Sequence, residues 1–155
     1  MSLKSFKSYN AALRFMNIAL EEARLAGEAQ EVPVGAVIVD REGNVLARGR
    51  NSTVSERNIH GHAEINAINE LFRKYGRVPD DLSLFVTLRP CAMCMGAIIS
   101  SGIKTVFYGA ERDESASDFF PLDLLPENVE TFGGILCEES KELLNRFFKG
   151  IREDR

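Results

Sequence analysis

Two short segments carry the residues best suited to bond-breaking chemistry: His62-Ala63-Glu64 and Pro90-Cys91-Ala92-Met93-Cys94, whose first cysteine is twenty-nine residues on from the histidine. Two cysteines separated by two residues on the first turn of a helix turn both sulfurs to one point, and the positive end of the helix dipole favours their thiolate forms. One imidazole completes a three-donor set. Thiolate and imidazole suit zinc, with Zn–S near ~2.3 Å and Zn–N near ~2.0 Å, and three protein donors leave a fourth place for water. Such a water's pKa falls from about 15.7 toward about 7, so hydroxide becomes available at neutral pH. Glu64, two residues from His62, stays near the site without being a ligand. A carboxylate there can take the water's proton and return it to a leaving group.

Other readings of the same residues predict different structures. A lone Cys-x-x-Cys also serves as a redox pair or as half of a structural zinc site. His60 rivals His62 as the ligand, but His62 has the glutamate at the useful offset. Were His60 or Cys137 to fill the fourth position, the site would be closed and structural. Cys137 by itself reads as a small buried apolar residue.

The elements that must position these groups can be read from periodicity. Leu13, Phe15, Met16, Ile18, Ala19, Leu20, Ala23 and Leu25 recur at helical intervals over about residues 9–27. Residues 33–40 form an apolar extended run, and Arg41-Glu42-Gly43-Asn44 is a hairpin turn into residues 45–49. Ile65, Ala67, Ile68, Leu71 and Phe72 mark a second helix that opens at His62-Ala63-Glu64 and stops at Gly76. Residues 82–87 are a strand, Pro90 suits the first turn of a helix running to Gly102, and residues 104–109 are another strand. Residues 110–127 are polar and aromatic with Pro121 and Pro126, as expected of irregular structure or a loop that covers a substrate. A last helix over about residues 138–151 carries Leu143, Leu144, Phe147 and Phe148 on its apolar side. Strands alternating with helices predict an α/β domain, and the first hairpin makes its sheet mixed.

Composition bounds the rest. The 155 residues, 45% hydrophobic and 27% charged, predict a single domain spanning 1–155 with an ordinary core. The apolar run from Val34 to Val39 is far shorter than the roughly 20 residues that cross a bilayer, so no membrane association is expected. With three cysteines and no secretory pattern at the start, the expected compartment is the cytoplasm. The net charge of −4 argues mildly against a large nucleic-acid footprint, although a local basic patch escapes a whole-chain count.

The pattern H-x-E followed by P-C-x-x-C resembles that of the cytidine deaminase superfamily, whose members release ammonia from nucleobases with zinc. Further similar pieces are Val32-Pro33-Val34-Gly35-Ala36-Val37-Ile38-Val39, Gly49-Arg50-Asn51, and Thr87-Leu88-Arg89 running into the Pro-Cys, then Gly96-Ala97. The resemblance spans roughly residues 15–148. It implies a three-layer α/β/α fold with a mixed five-stranded sheet, zinc on His62, Cys91 and Cys94, and Glu64 as the proton carrier. It also implies hydrolytic deamination of an amino-nucleobase, Asn51 as a contact to the base, and a homodimer through the helices bearing Ile65, Ile68, Met93 and Met95. Without the resemblance, Asn51 reads as a turn residue closing the second strand.

Within the superfamily two substrate classes stand open. Arg146-Phe147-Phe148-Lys149 with Arg152 is similar to the last helix of the tRNA adenosine deaminase branch. There Phe148 would stack on a base splayed from the anticodon loop, or the two phenylalanines are ordinary core residues. Arg89 stands where that branch usually has glutamate, and its Gly/Ala/Ser-rich loop is replaced here by residues 111–120, rich in acidic and aromatic side chains. These features resemble enzymes that enclose a small free base such as cytosine or guanine. A reading of another class, a non-catalytic zinc-binding interaction module, leaves Glu64 without a use.

Overall fold

The computed structural model describes residues 9–154. In chain order it contains α1 (Tyr9–Glu28), β1 (Gly35–Val39), β2 (Val45–Arg50), α2 (Ala63–Tyr75), β3 (Ser83–Leu88), α3 (Ala92–Ser101), β4 (Thr105–Ala110), a 3-10 turn (Leu122–Leu124), β5 (Glu130–Phe132) and α4 (Cys137–Glu153). The strands form one sheet in the order β2-β1-β3-β4-β5. β1 pairs antiparallel with both β2 and β3, while β3–β4 and β4–β5 are parallel, so the sheet is mixed as expected.

Alternation along the strands builds two cores. Ala36 and Ile38 of β1, Leu84 and Val86 of β3, and Val106 and Tyr108 of β4 face Ala63, Ala67 and Leu71 of α2 and Met95 and Ile98 of α3. The intervening Val37, Val39, Phe85 and Phe107 face Ala12, Phe15, Met16 and Ala19 of α1, with Ile135 ahead of α4. Successive side chains of a strand point to opposite faces, so one apolar sheet requires a helical layer on each side. The outcome is the three-layer α/β/α arrangement.

Close approach of α2 to the sheet depends on Gly49. A Cβ there would lie 2.2 Å from the Ala63 carbonyl oxygen and 2.5 Å from the Ala67 nitrogen. The glycine two residues before Asn51 thus lets the helix that begins after His62 sit down on β2. The stops foreseen at Gly76 and Gly102 are real, both glycines capping their helices in the left-handed region at φ 66° and 85°.

Two expectations need correction, and one strand lies where the periodicity assigned no element. Pro90 lies outside α3, because Cys91 is the N-cap and the helix begins at Ala92. Met95 is fully buried in the core and offers nothing to a partner. β5, whose three residues carry no readable period, lies within the stretch after 127 that the periodicity left unassigned.

Candidate active site

His62 and Cys91 are the N-cap residues of α2 and α3, both with extended backbone, and neither side chain caps its own helix. The side chains are therefore free to face each other where the two helices start. His62 Nδ1 lies 3.6 Å from Cys91 Sγ and 3.4 Å from Cys94 Sγ. All three donor atoms fall within 4.8 Å of one another. A tetrahedral ion with Zn–S near 2.3 Å and Zn–N near 2.0 Å requires N···S separations of about 3.5 Å. The donor set and its spacing fit zinc.

Among the described residues this cluster has three members. His60 is exposed, and its backbone N–H is bonded to Asn58 Oδ1 at 3.0 Å. Cys137 opens α4, half-buried. Neither joins the cluster, so the geometry is that of a three-donor site rather than a closed four-ligand one.

The sulfurs are polarised in opposite senses. A hydrogen bond from Cys94 and a second from His62 hold the Cys91 thiol down at about 3 against the effect of burial. Cys94 is pushed up by that shared hydrogen bond to Cys91 and by burial. His62 is raised by its hydrogen bond to Cys91. A metal entering the site must displace the protons on Cys94 and His62, so its binding releases protons.

Glu64 is 3% exposed. Burial raises its pKa, and the negative charge on Cys91 acts in the same direction. A carboxyl with a raised pKa beside a metal-donor cluster is the form a group needs if it is to accept and return a proton near neutral pH.

Asn51 follows β2 directly, 7% exposed, with its backbone N–H on the Val34 carbonyl at 3.1 Å. Asn66 of α2 holds both its neighbours, donating Nδ2 to the Arg50 carbonyl at 2.7 Å and to Ser52 Oγ at 2.8 Å. Asn66 also closes the first helical bond to the His62 carbonyl at 3.0 Å. One side chain thus ties Asn51 to the turn that carries His62 and Glu64. Glu31, 2% exposed, fixes the loop beyond by accepting the N–H groups of Val54 at 3.0 Å and Ser55 at 2.7 Å. Sequence reasoning passed over both Asn66 and Glu31. The available signals were a polar residue amid the apolar face of α2 and a lone charge before Val32-Pro33-Val34.

Phe148 is separate from this group. It is 44% exposed, meets Phe147 edge-on at 5.4 Å, and sits on α4, which packs on β3, β4 and α1 in the other helical layer. Phe147 is half-buried beside Pro33, Gly27 and Arg24. The two phenylalanines therefore divide, one packed inward and one presented to solvent.

The sheet order, the paired helix starts and the His-Cys-Cys cluster define a zinc-binding deaminase domain. Residues 10–110 match the family described as the cytidine and deoxycytidylate deaminase zinc-binding region, and the chain belongs to that family. It is a hydrolytic deaminase by that membership. A tRNA-specific adenosine deaminase of Rickettsia bellii is 41% identical over 145 residues, covering 89% of this chain and 100% of the relative. The tRNA-specific adenosine deaminase of Bacillus subtilis is 34% identical, covering 91% of each. A solved structure from work on A-to-I editing by tRNA deaminases at the wobble position aligns with a TM-score of 0.75 at 38% identity, covering 84% of this chain and 99% of that one. A guanine deaminase from Nitrosomonas europaea aligns with a TM-score of 0.75 at 26% identity, covering 87% and 83%.

Proposed function

We propose that this chain converts adenosine to inosine in the anticodon loop of a tRNA, with His62, Cys91 and Cys94 as zinc ligands and Glu64 as the proton carrier. The observation that carries the substrate assignment is the 41% identity that runs the whole length of a tRNA-specific adenosine deaminase. When bound, zinc supplies a Lewis acid that makes water nucleophilic at neutral pH. Glu64 takes one proton from the attacking water as its oxygen adds to C6 of the purine, and delivers that proton to the neighbouring ring nitrogen. It then moves the water's second proton to the exocyclic amine, which leaves as ammonia while the C6 oxygen becomes a carbonyl. Asn51, buried and anchored through its neighbours by Asn66, hydrogen-bonds the edge of the base and fixes its orientation. Phe148, exposed on α4 in the other helical layer, stacks on the RNA away from the metal cluster, a role its exposure supports.

The single domain acts as a homodimer in the cytoplasm. Among the described residues no helix is long and apolar enough to cross a membrane. A groove of about 600 Å³ between α2 and α3 is lined by Ile65, Ile68, Phe72, Val78 and Ala97 together with Asn69, Arg73, Ser100 and Ser101, and Phe72 is 56% exposed, a mixed face with an apolar centre suited to a second copy. Sedimentation that finds only monomer at micromolar concentration removes this part of the proposal.

A second reading, deamination of a free purine, is favoured by the loop 111–120, which Arg89 holds against the start of α3. Incubating the protein with an anticodon stem-loop bearing adenosine at its first anticodon position, and with free guanine, separates the two. Inosine in the digested RNA supports the proposal. Ammonia from guanine alone replaces it.

A further inference from the structure

Both ends of the loop 111–120 converge on one guanidinium. Arg89, 8% exposed, donates Nη1 to Glu111 Oε2 at 3.0 Å and Nη2 to the Phe120 carbonyl at 2.8 Å. Its guanidinium also lies 4.4 Å from the centroid of the Phe119 ring. Tyr108 donates its hydroxyl to the other Glu111 oxygen at 2.7 Å. A compact surface loop with its ends held together and packed by its own side chains is an Ω-loop, a class frequently used in function. The Arg89 Nε is buried without a partner. Two Nη bonds in a fork and a planar stack are what lysine cannot reproduce.

The middle of the same loop grips the chain on either side of Cys91. Arg112 donates Nε to the Arg89 carbonyl at 3.1 Å and pairs with Asp118 at 3.2 Å. The Asp118 carbonyl accepts the N–H of Ala92 at 2.8 Å. That N–H belongs to the first turn of α3 and has no acceptor within the helix. The backbone from Arg89 to Ala92, which sets where the Cys91 sulfur points, is therefore fastened from outside at both ends. Groups that orient a metal ligand from behind typically change metal affinity by about 10–100-fold when removed.

We propose that Arg89 is a positioning residue that keeps Cys91 in register for zinc by clasping the loop 111–120 across the start of α3. The proposal rests on the ligand assignment above but not on any substrate. Breaking the clasp frees the loop ends, releases the Ala92 N–H and lets Cys91 swing, while His62, Cys94 and Glu64 keep their own supports.

The test uses zinc-loaded wild type, Arg89→Lys, Arg89→Ala and Glu111→Gln, with Arg41→Gln, on a side chain 72% exposed, as control. Zinc transfer to a competing chelator and hydrogen exchange at the Ala92 amide are followed together. Arg89→Lys is expected to hold zinc about 10–100-fold more weakly than wild type and to lose protection at Ala92. Glu111→Gln shifts both the same way by less, and Arg41→Gln shifts neither. Added guanidinium, at concentrations too low to alter wild type, restores zinc retention in Arg89→Ala, which it would not do for a variant that had simply lost its fold. An Arg89→Lys protein that retains zinc as tightly as wild type overturns the clasp, as does weaker zinc with Ala92 still protected. A wild type that binds no zinc overturns the ligand assignment and this inference with it. Failure to deaminate RNA touches neither.

Discussion

Replacing Glu64 with glutamine separates proton transfer from everything else the site does. The substitution preserves shape and volume, so α2 keeps its packing and His62 its direction, but the amide can neither accept a proton from water nor deliver one to a ring nitrogen. General acid–base catalysis by a positioned group contributes about 10²–10⁴-fold, which is about 2.7–5.4 kcal/mol of barrier. At 3% exposure, bulk water has little room to substitute for the carboxylate. The loss is therefore expected toward the upper end, at about 10³-fold or more in kcat. Steady-state conversion of an adenosine-bearing anticodon stem-loop reads kcat, single-turnover conversion reads the chemical step alone, and metal analysis of the same preparation reads zinc. Stability should move the other way in metal-free protein. The raised pKa means the folded state holds Glu64's proton more tightly than the unfolded chain does, so wild-type stability falls as pH rises above the ordinary 4.5. Glu64→Gln is then the more stable protein at neutral pH, and the two converge below that value. Turnover within tenfold of wild type would refute the role of Glu64, and loss of zinc would show it to be part of the metal's support.

Cys94→Ser and His62→Ala should each lose stoichiometric zinc. In the wild type the raised pKa values of Cys94 and His62 make zinc affinity fall as pH falls, by about tenfold per unit for each proton displaced, which titration against a chelator at several pH values measures. Glu31→Ala removes the charged acceptor of the Val54 and Ser55 N–H groups, which water can partly replace at these exposed residues, and should destabilise the fold by about 1 kcal/mol in urea unfolding. Burial opposes ionisation of Glu31, but the Ser55 and Val54 N–H donors outweigh it and lower its pKa. Its stabilisation is therefore present above 4.5 and lost as pH falls through the folded value. A Glu31→Gln protein as sensitive to acid as wild type would contradict this. Phe148→Ala should weaken RNA binding by about 1–3 kcal/mol without changing free-base turnover, and an unchanged KM for RNA would return Phe148 to the surface of α4.

The metal cluster was legible because each donor declares itself over a few residues. A cysteine pair at helical spacing, a histidine and a glutamate at the opening of an apolar-periodic helix fix chemistry locally, and the caps at Gly76 and Gly102 fix where the helices end. β1 to β4 were legible to within about two residues because a sheet covered on both faces leaves apolar runs, whereas the three residues of β5 are too few to show a period. What escaped depends on contacts between distant segments. Asn66 looks like an interruption in α2 until Arg50 and Ser52 are seen beside it. Glu31 looks like a stray charge until the loop beyond Asn51 folds over it. Arg89 and the acidic, aromatic residues 111–120 read as two separate departures from the tRNA branch, yet they are one structural unit in which Arg89 binds Glu111, Phe119 and Phe120. No local pattern joins residues that lie fourteen or more positions apart.

Deamination of tRNA adenosine is tested most directly by product analysis after incubation of zinc-loaded protein with an anticodon stem-loop RNA, free guanine, cytosine and adenine, using Glu64→Gln as the blank. Inosine at the first anticodon position and ammonia in equal amount are expected, both absent from the blank. RNA left unchanged while a free base releases ammonia would contradict the substrate assignment and leave the zinc site and Glu64 in place; no ammonia from any of the four would contradict the catalytic reading itself.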